Sequence, residues 1–128
     1  METEIQLDRS YHLLVVEDES MIRTSLQLHL NAYGIEVKMT TNGEEGVQAL
    51  KESPDAYDCI LMDMNMPVMN GDEAYRIMKD IKPDLKCIIM TGYMNDHQEL
   101  IKMDPSLHVV TKPFRMEELI AKIKEVEA

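Results

Sequence analysis

The sequence predicts an α/β domain, a single doubly wound (βα)5 unit built around a five-stranded parallel sheet. Three observations carry this prediction. The runs YHLLVV, YDCILM and KCIIM are apolar almost throughout, as expected of strands buried on both faces. They alternate with stretches whose apolar residues recur at the helical period. The 128 residues suit one domain, since domains most often run to roughly 100–150 residues.

The first strand is Tyr11–Val16. Ser20 then caps a helix running to about Tyr33, with Gly34 at its end. Ile35, Val37 and Met39 alternate with Glu36 and Lys38, the period-2 pattern of a half-exposed edge strand. Asn42–Gly43 opens a second helix with Val47 and Leu50 on one face, and Ser53–Pro54 ends it. Tyr57–Met62 is the third strand. A third helix begins near Asp72 and aligns Ala74, Ile77, Met78 and Ile81 before Pro83. Lys86–Met90 forms the fourth strand, and a fourth helix is expected around Asn95–Met103. Leu107–Val110 is a short fifth strand, and Met116–Val126 a last helix with Met116, Leu119, Ile120 and Ile123 on one stripe. Residues 1–10 form a polar tail, so the domain is residues 11–128.

Right-handed crossovers between these strands give a sheet covered on both faces, with the flavodoxin-like order 2-1-3-4-5. Ligands of such sheets sit at the carboxyl ends of the strands, near the switch point between strands 1 and 3.

Composition narrows the function by exclusion. The formal net charge of −11 argues against direct nucleic-acid binding, which needs a basic face, and against polybasic membrane attachment. The N-terminal METEIQLDRS is not a signal peptide, and no run reaches the ~18–20 apolar residues of a membrane span. Cys59 and Cys87 match no zinc or redox spacing, which suits a cytoplasmic protein with reduced thiols. Each precedes a strand end by four residues, so they are expected as lateral neighbours, buried and unbridged. The four histidines form no metal-ligating pair. Met21, Met62, Met78 and Met90 are expected in the core, while Met64, Met66, Met69 and Met94 lie in loops near the strand ends.

Those strand ends carry the chemistry. Strand 1 runs into Glu17-Asp18-Glu19, strand 3 into Asp63, strand 4 into Thr91-Gly92 and strand 5 into Thr111-Lys112-Pro113. Glu17, Asp18 and Asp63 gathered at one edge repel one another, by roughly 4 kcal/mol for a pair about 4 Å apart at an effective dielectric near 20. Protonation, hydration or a bound cation relieves this, and an all-oxygen set suits Mg²⁺, or Mn²⁺ in its place. Lys112 and Thr91 beside such a site make a cradle for a tetrahedral oxyanion, which leaves Asp63 as nucleophile for in-line phosphoryl transfer.

Taken together, VVEDE, LMDMNMPVMNG, IIMTG and TKPF resemble the CheY-like receiver domain of two-component response regulators, over about residues 11 to 127. The resemblance implies that Asp63 is the phosphoacceptor, charged by a sensor histidine kinase or a phosphotransfer protein. It implies Mg²⁺ held by Asp18, Asp63 and the backbone carbonyl of Asn65, with Glu17 acting through a water. Lys112 would pair with Asp63, ahead of a cis peptide bond to Pro113, and Thr91 would bond the phosphoryl group. The output would be altered protein–protein contacts through the fourth helix, fifth strand and last helix. The recipient would be an effector protein or a fused output or kinase domain. Such a module is a signalling switch and no enzyme, beyond assisting its own phosphorylation and dephosphorylation.

Two departures stand out. The family usually has an aromatic residue three positions before the lysine, and here that position is Val109, preceded by His108. Asp104-Pro105-Ser106 replaces the usual Gly-Ala turn. Two other functions share part of the pattern. A haloacid-dehalogenase-type phosphohydrolase needs a second acid two residues after its nucleophile, where this chain has Asn65. A phosphorylation-independent pseudo-receiver has no need of the intact acids and lysine.

Overall fold

A computed structural model describes residues 10–64, 66, 68–92, 102, 104 and 107–127. Among them are five strands, β1 (Tyr11–Val16), β2 (Ile35–Thr40), β3 (Cys59–Asp63), β4 (Cys87–Thr91) and β5 (His108–Thr111). Four helices accompany them: α1 (Ser20–Ala32), α2 (Gly43–Glu52), α3 (Gly71–Ile81) and α4 (Met116–Glu127). All neighbouring strands pair in parallel, in the order β2-β1-β3-β4-β5. The expected helix around Asn95–Met103 lies outside the described residues except for Lys102.

Two apolar layers explain why both strand faces are hydrophobic. Leu13, Val15, Leu61, Ile88 and Met90 pack under Leu26 and Leu30 of α1 and Leu119, Ile120 and Ile123 of α4. Leu14, Val16, Ile60, Met62 and Ile89 face the other way, onto Val47 and Leu50 of α2 and Ala74 and Met78 of α3. Edge strand β2 keeps the alternation read from its sequence, with Glu36 and Lys38 exposed.

Several local expectations are corrected. Ser20 is the first residue of α1 and does not cap it; the cap position is Glu19, with no side-chain cap bond. Asn42 and Asn70 do cap their helices, accepting from the backbone N–H groups of Glu45 and Glu73. β3 starts at Cys59, two residues later than the apolar run from Tyr57, and ends on Asp63 itself. Cys87 is paired with Ile60. Cys59 therefore falls one residue out of step, and because strand side chains alternate, the two thiols point to opposite faces. Met21 is 83% exposed, because the buried stripe of α1 runs through Ile22, Leu26 and Leu30. Met64 is buried, and Met66 and Met69 pack against the α2–α3 layer. No helix among the described residues is long and apolar enough to cross a membrane.

Candidate functional site

The register of the central strands brings the acids together. Val15 pairs with Leu61 and Val16 with Met62, so one further step sets Glu17 abreast of Asp63. Carboxylate oxygens of Glu17, Asp18 and Asp63 lie within 4.8 Å of one another. Glu17 is wholly buried, Asp63 is 5% exposed, and Asp18 faces solvent.

Lys112 enters from the far side of β4. Its backbone N–H donates to the carbonyl of Thr91 at 2.7 Å, which extends the β4–β5 ladder past the paired Thr91 and Thr111. The peptide bond to Pro113 is cis. From there the ammonium donates to Asp63 Oδ2 at 3.0 Å and to Glu17 Oε1 at 3.1 Å. Burial opposes the charge on Lys112, but its bonds and charge contacts with Asp63 and Glu17 outweigh that and raise its pKa. Glu17 is shifted upward as well. Burial is the main cause, aided by the charge of Asp63 and opposed by the Glu19 N–H and by Lys112.

Among the described residues, one ammonium thus stands against three carboxylates. The excess negative charge, the all-oxygen donor set and the partly desolvated Glu17 fit a small hard dication. Thr91, also fully buried, ends β4 beside this group. Asn65 lies outside the described residues.

The loop after Asp63 is held by close backbone packing. Gly71 N–H donates to the Met64 carbonyl at 3.0 Å. A Cβ on Gly71 would lie 2.8 Å from both Asp63 O and Met64 Cα, so only glycine permits this approach. Beside Lys112 a groove of about 690 Å³ opens between α1 and the start of α4, its lining including Met21, Leu26, Phe114 and Met116.

The sequence profile of the response regulator receiver domain matches residues 13–124. The chain belongs to this family. Receiver domains are the signalling domains of two-component systems. This receiver is 34% identical over 114 residues to the uncharacterized transcriptional regulatory protein YkoG of Bacillus subtilis, covering 88% of the chain and 49% of YkoG. It is 32% identical over 91 residues to the autoinducer 1 sensor kinase/phosphatase LuxN of Vibrio campbellii, covering 71% of the chain and 10% of LuxN. The crystal structure of a receiver domain protein from Clostridium thermocellum superposes with a TM-score of 0.83 at 27% identity, over 91% of this chain and 93% of that one. The receiver spans about half the length of YkoG and a tenth of LuxN.

Sequence reasoning passed over one helix residue that holds this receiver's acidic loop. Arg23 Nη1 donates to the carbonyls of Glu17 at 2.9 Å and Asp18 at 2.8 Å. The available signal was a cation in the first turns of a helix, where the dipole disfavours it.

Proposed function

We propose that this receiver is a phosphorylation-dependent switch whose phosphoacceptor is Asp63. The observation that carries the proposal is the Lys112 ammonium on Asp63 Oδ2 at 3.0 Å, with Glu17 and Asp18 alongside. The donor is a phosphohistidine on a sensor histidine kinase or phosphotransfer protein. A carboxylate oxygen of Asp63 attacks the phosphorus, the P–N bond breaks, and its electron pair returns to the imidazole nitrogen. Lys112 holds one phosphoryl oxygen and the Thr91 hydroxyl another. Asp18, Asp63 and the backbone carbonyl of Asn65 would hold Mg²⁺, or Mn²⁺, with Glu17 contributing through a water, as the family resemblance implies. When bound there, such an ion would supply positive charge against the phosphoryl oxygens beside the acids.

The functional unit is residues 11–128, with 1–10 as a polar tail, acting in the cytoplasm. Its acceptor is its own side chain, so it assists its phosphorylation and dephosphorylation and turns over no other substrate. Phosphorylation alters contacts made by β5, α4 and the segment 95–103 with an effector protein or a fused output or kinase domain. The −11 charge leaves no direct role for nucleic acid. With Val109 half-buried where the family carries an aromatic, the signal travels by a relay other than a rotating ring. Amide spectra with and without beryllium fluoride test that relay, and unchanged signals across residues 91–116 would refute it.

Acetyl-phosphate labelling with Mg²⁺, of wild type against Asp63→Ala, tests the central claim. The wild type is expected to gain one acid-stable, base-labile phosphoryl group and the variant none. Equal labelling of both would overturn the assignment, and steady turnover of small phosphate esters would favour a phosphohydrolase instead.

A further inference from the structure

We infer that Arg23 is a positioning residue for the divalent-cation site, acting by clamping the backbone of the loop that carries Glu17 and Asp18. The inference rests on the proposal that those acids hold Mg²⁺. Arg23 lies in α1, half-buried, and a single nitrogen of its guanidinium bridges two consecutive carbonyls, those of Glu17 and Asp18. Its backbone N–H meanwhile donates to the Glu19 carbonyl at 3.0 Å, so side chain and main chain together grip all three residues of the acidic triplet.

The position is poor for helix stability. A cation near the N-terminus of α1 opposes the macrodipole, and the nearest acid along the helix is Glu19 at the cap position, with none in the first turn itself. The other three described helices each carry two acids in their first turn. Arg23 is also surrounded in sequence by carboxylates, with which a guanidinium makes its strongest bonds. Among the described residues it makes no ion pair, and its bonds go to carbonyl oxygens. That choice fixes the path of the loop while leaving the carboxylates of Glu17 and Asp18 beside that of Asp63.

The remaining hold on the loop depends on Glu17 itself. Glu17 N–H donates to the Thr40 carbonyl, and Glu17 Oε2 accepts from the Glu19 N–H at 3.1 Å. Any reorientation of the Glu17 carboxylate toward a cation weakens the second of these bonds, whereas the Arg23 bonds involve no carboxylate and persist. Outer-shell groups that orient metal ligands typically change affinity by about 10–100-fold when removed.

The test measures Mg²⁺ affinity through the amide signal of Glu19 in wild type, Arg23→Ala, Arg23→Lys and Asp18→Asn, with acetyl-phosphate labelling followed as a function of Mg²⁺. Arg23→Ala is expected to raise the Mg²⁺ Kd about 10-fold or more, with the labelling rate recovering at saturating Mg²⁺. Arg23→Lys keeps the charge on a shorter side chain whose reach to both carbonyls is poorer, so it should fall between the two. If Arg23 acted only as a nearby positive charge, its removal would tighten Mg²⁺ binding. An unchanged or lower Kd in Arg23→Ala therefore overturns the clamp. Should that variant not fold, a wild-type Kd in Arg23→Lys overturns it and a raised one supports it. A wild type with no Mg²⁺ response, or an undiminished response in Asp18→Asn, would instead refute the assignment of the acids.

Discussion

Lys112 and Glu17 lie 95 positions apart in the chain, yet the ammonium of one donates to the fully buried carboxylate of the other at 3.1 Å. A carboxylate removed from water needs such a partner. Replacing Lys112 by alanine leaves Glu17 and Asp63 buried without it. The expected loss of stability without divalent cations is about 1–3 kcal/mol, the usual cost of an unsatisfied buried group. Saturating Mg²⁺ should restore part of it. Urea unfolding with and without Mg²⁺ measures both, and a variant as stable as wild type without metal would contradict the arrangement.

The raised pKa of Glu17 gives a pH dependence of defined sign. Its ordinary value is 4.5 and burial pushes the folded value higher, so between the two the folded state binds the extra proton. Stability then falls as pH rises through that window. Lys112, raised from 10.5, contributes stability that is present below its unfolded value and lost only as pH rises through its folded one. Metal-free protein should therefore become more stable as pH falls from the raised folded value of Glu17 toward 4.5, and Glu17→Gln should lose part of that slope. Identical slopes in urea unfolding would show that the net charge of the whole surface, and not Glu17, sets the trend.

These two residues also mark how far the sequence was legible. Strand order, the edge character of β2 and the gathering of Glu17, Asp18, Asp63, Thr91 and Lys112 all follow from alternating elements and topology rules, which act over many residues at once. The missing parts depend on offsets of a single residue or on the path of one side chain. Composition cannot show that Cys59 pairs one step out of register with Cys87. Nor can it show that α1 starts without a side-chain cap, or that Arg23 reaches back to two carbonyls. The second hydrogen bond of Lys112, to Glu17, was equally hidden, because it depends on how far the lysine chain extends over the strand ends.

The register offset makes its own prediction. Cys59 and Cys87 are 1% and 4% exposed, on opposite faces of the sheet. Burial pushes the Cys59 thiol up to about 12 and raises Cys87 as well. Both should resist Ellman's reagent in the native protein and react together on unfolding. Oxidants should produce no intramolecular bridge. A fast native-state reaction of either thiol would be incompatible with this core.

Gly71 links stability to the phosphoacceptor. Alanine there places a Cβ 2.8 Å from Asp63 O and Met64 Cα, and both are backbone atoms that no side-chain rotation can move aside. The expected destabilisation is about 2 kcal/mol, within the usual range for overpacking. Because the displaced atom belongs to Asp63, labelling by acetyl phosphate should slow even at temperatures where the variant is fully folded. Normal labelling by a destabilised but folded variant would separate the glycine from the acceptor's geometry.

Val68 holds the opposite kind of position. It is 75% exposed with φ at +68°, a left-handed conformation that costs an L-residue roughly 1–2 kcal/mol and suits a β-branched side chain least of all. Burial of the side chain offers little compensation at that exposure. Asparagine tolerates this conformation and avoids much of the unfolded-state entropy that glycine would add. Val68→Asn should therefore raise stability by about 1 kcal/mol, read as a higher urea midpoint with an unchanged slope. Val68→Gly should gain less, because its more flexible unfolded chain offsets part of the relieved strain. If asparagine instead lowers the midpoint, the apolar contacts of Val68 outweigh its backbone strain.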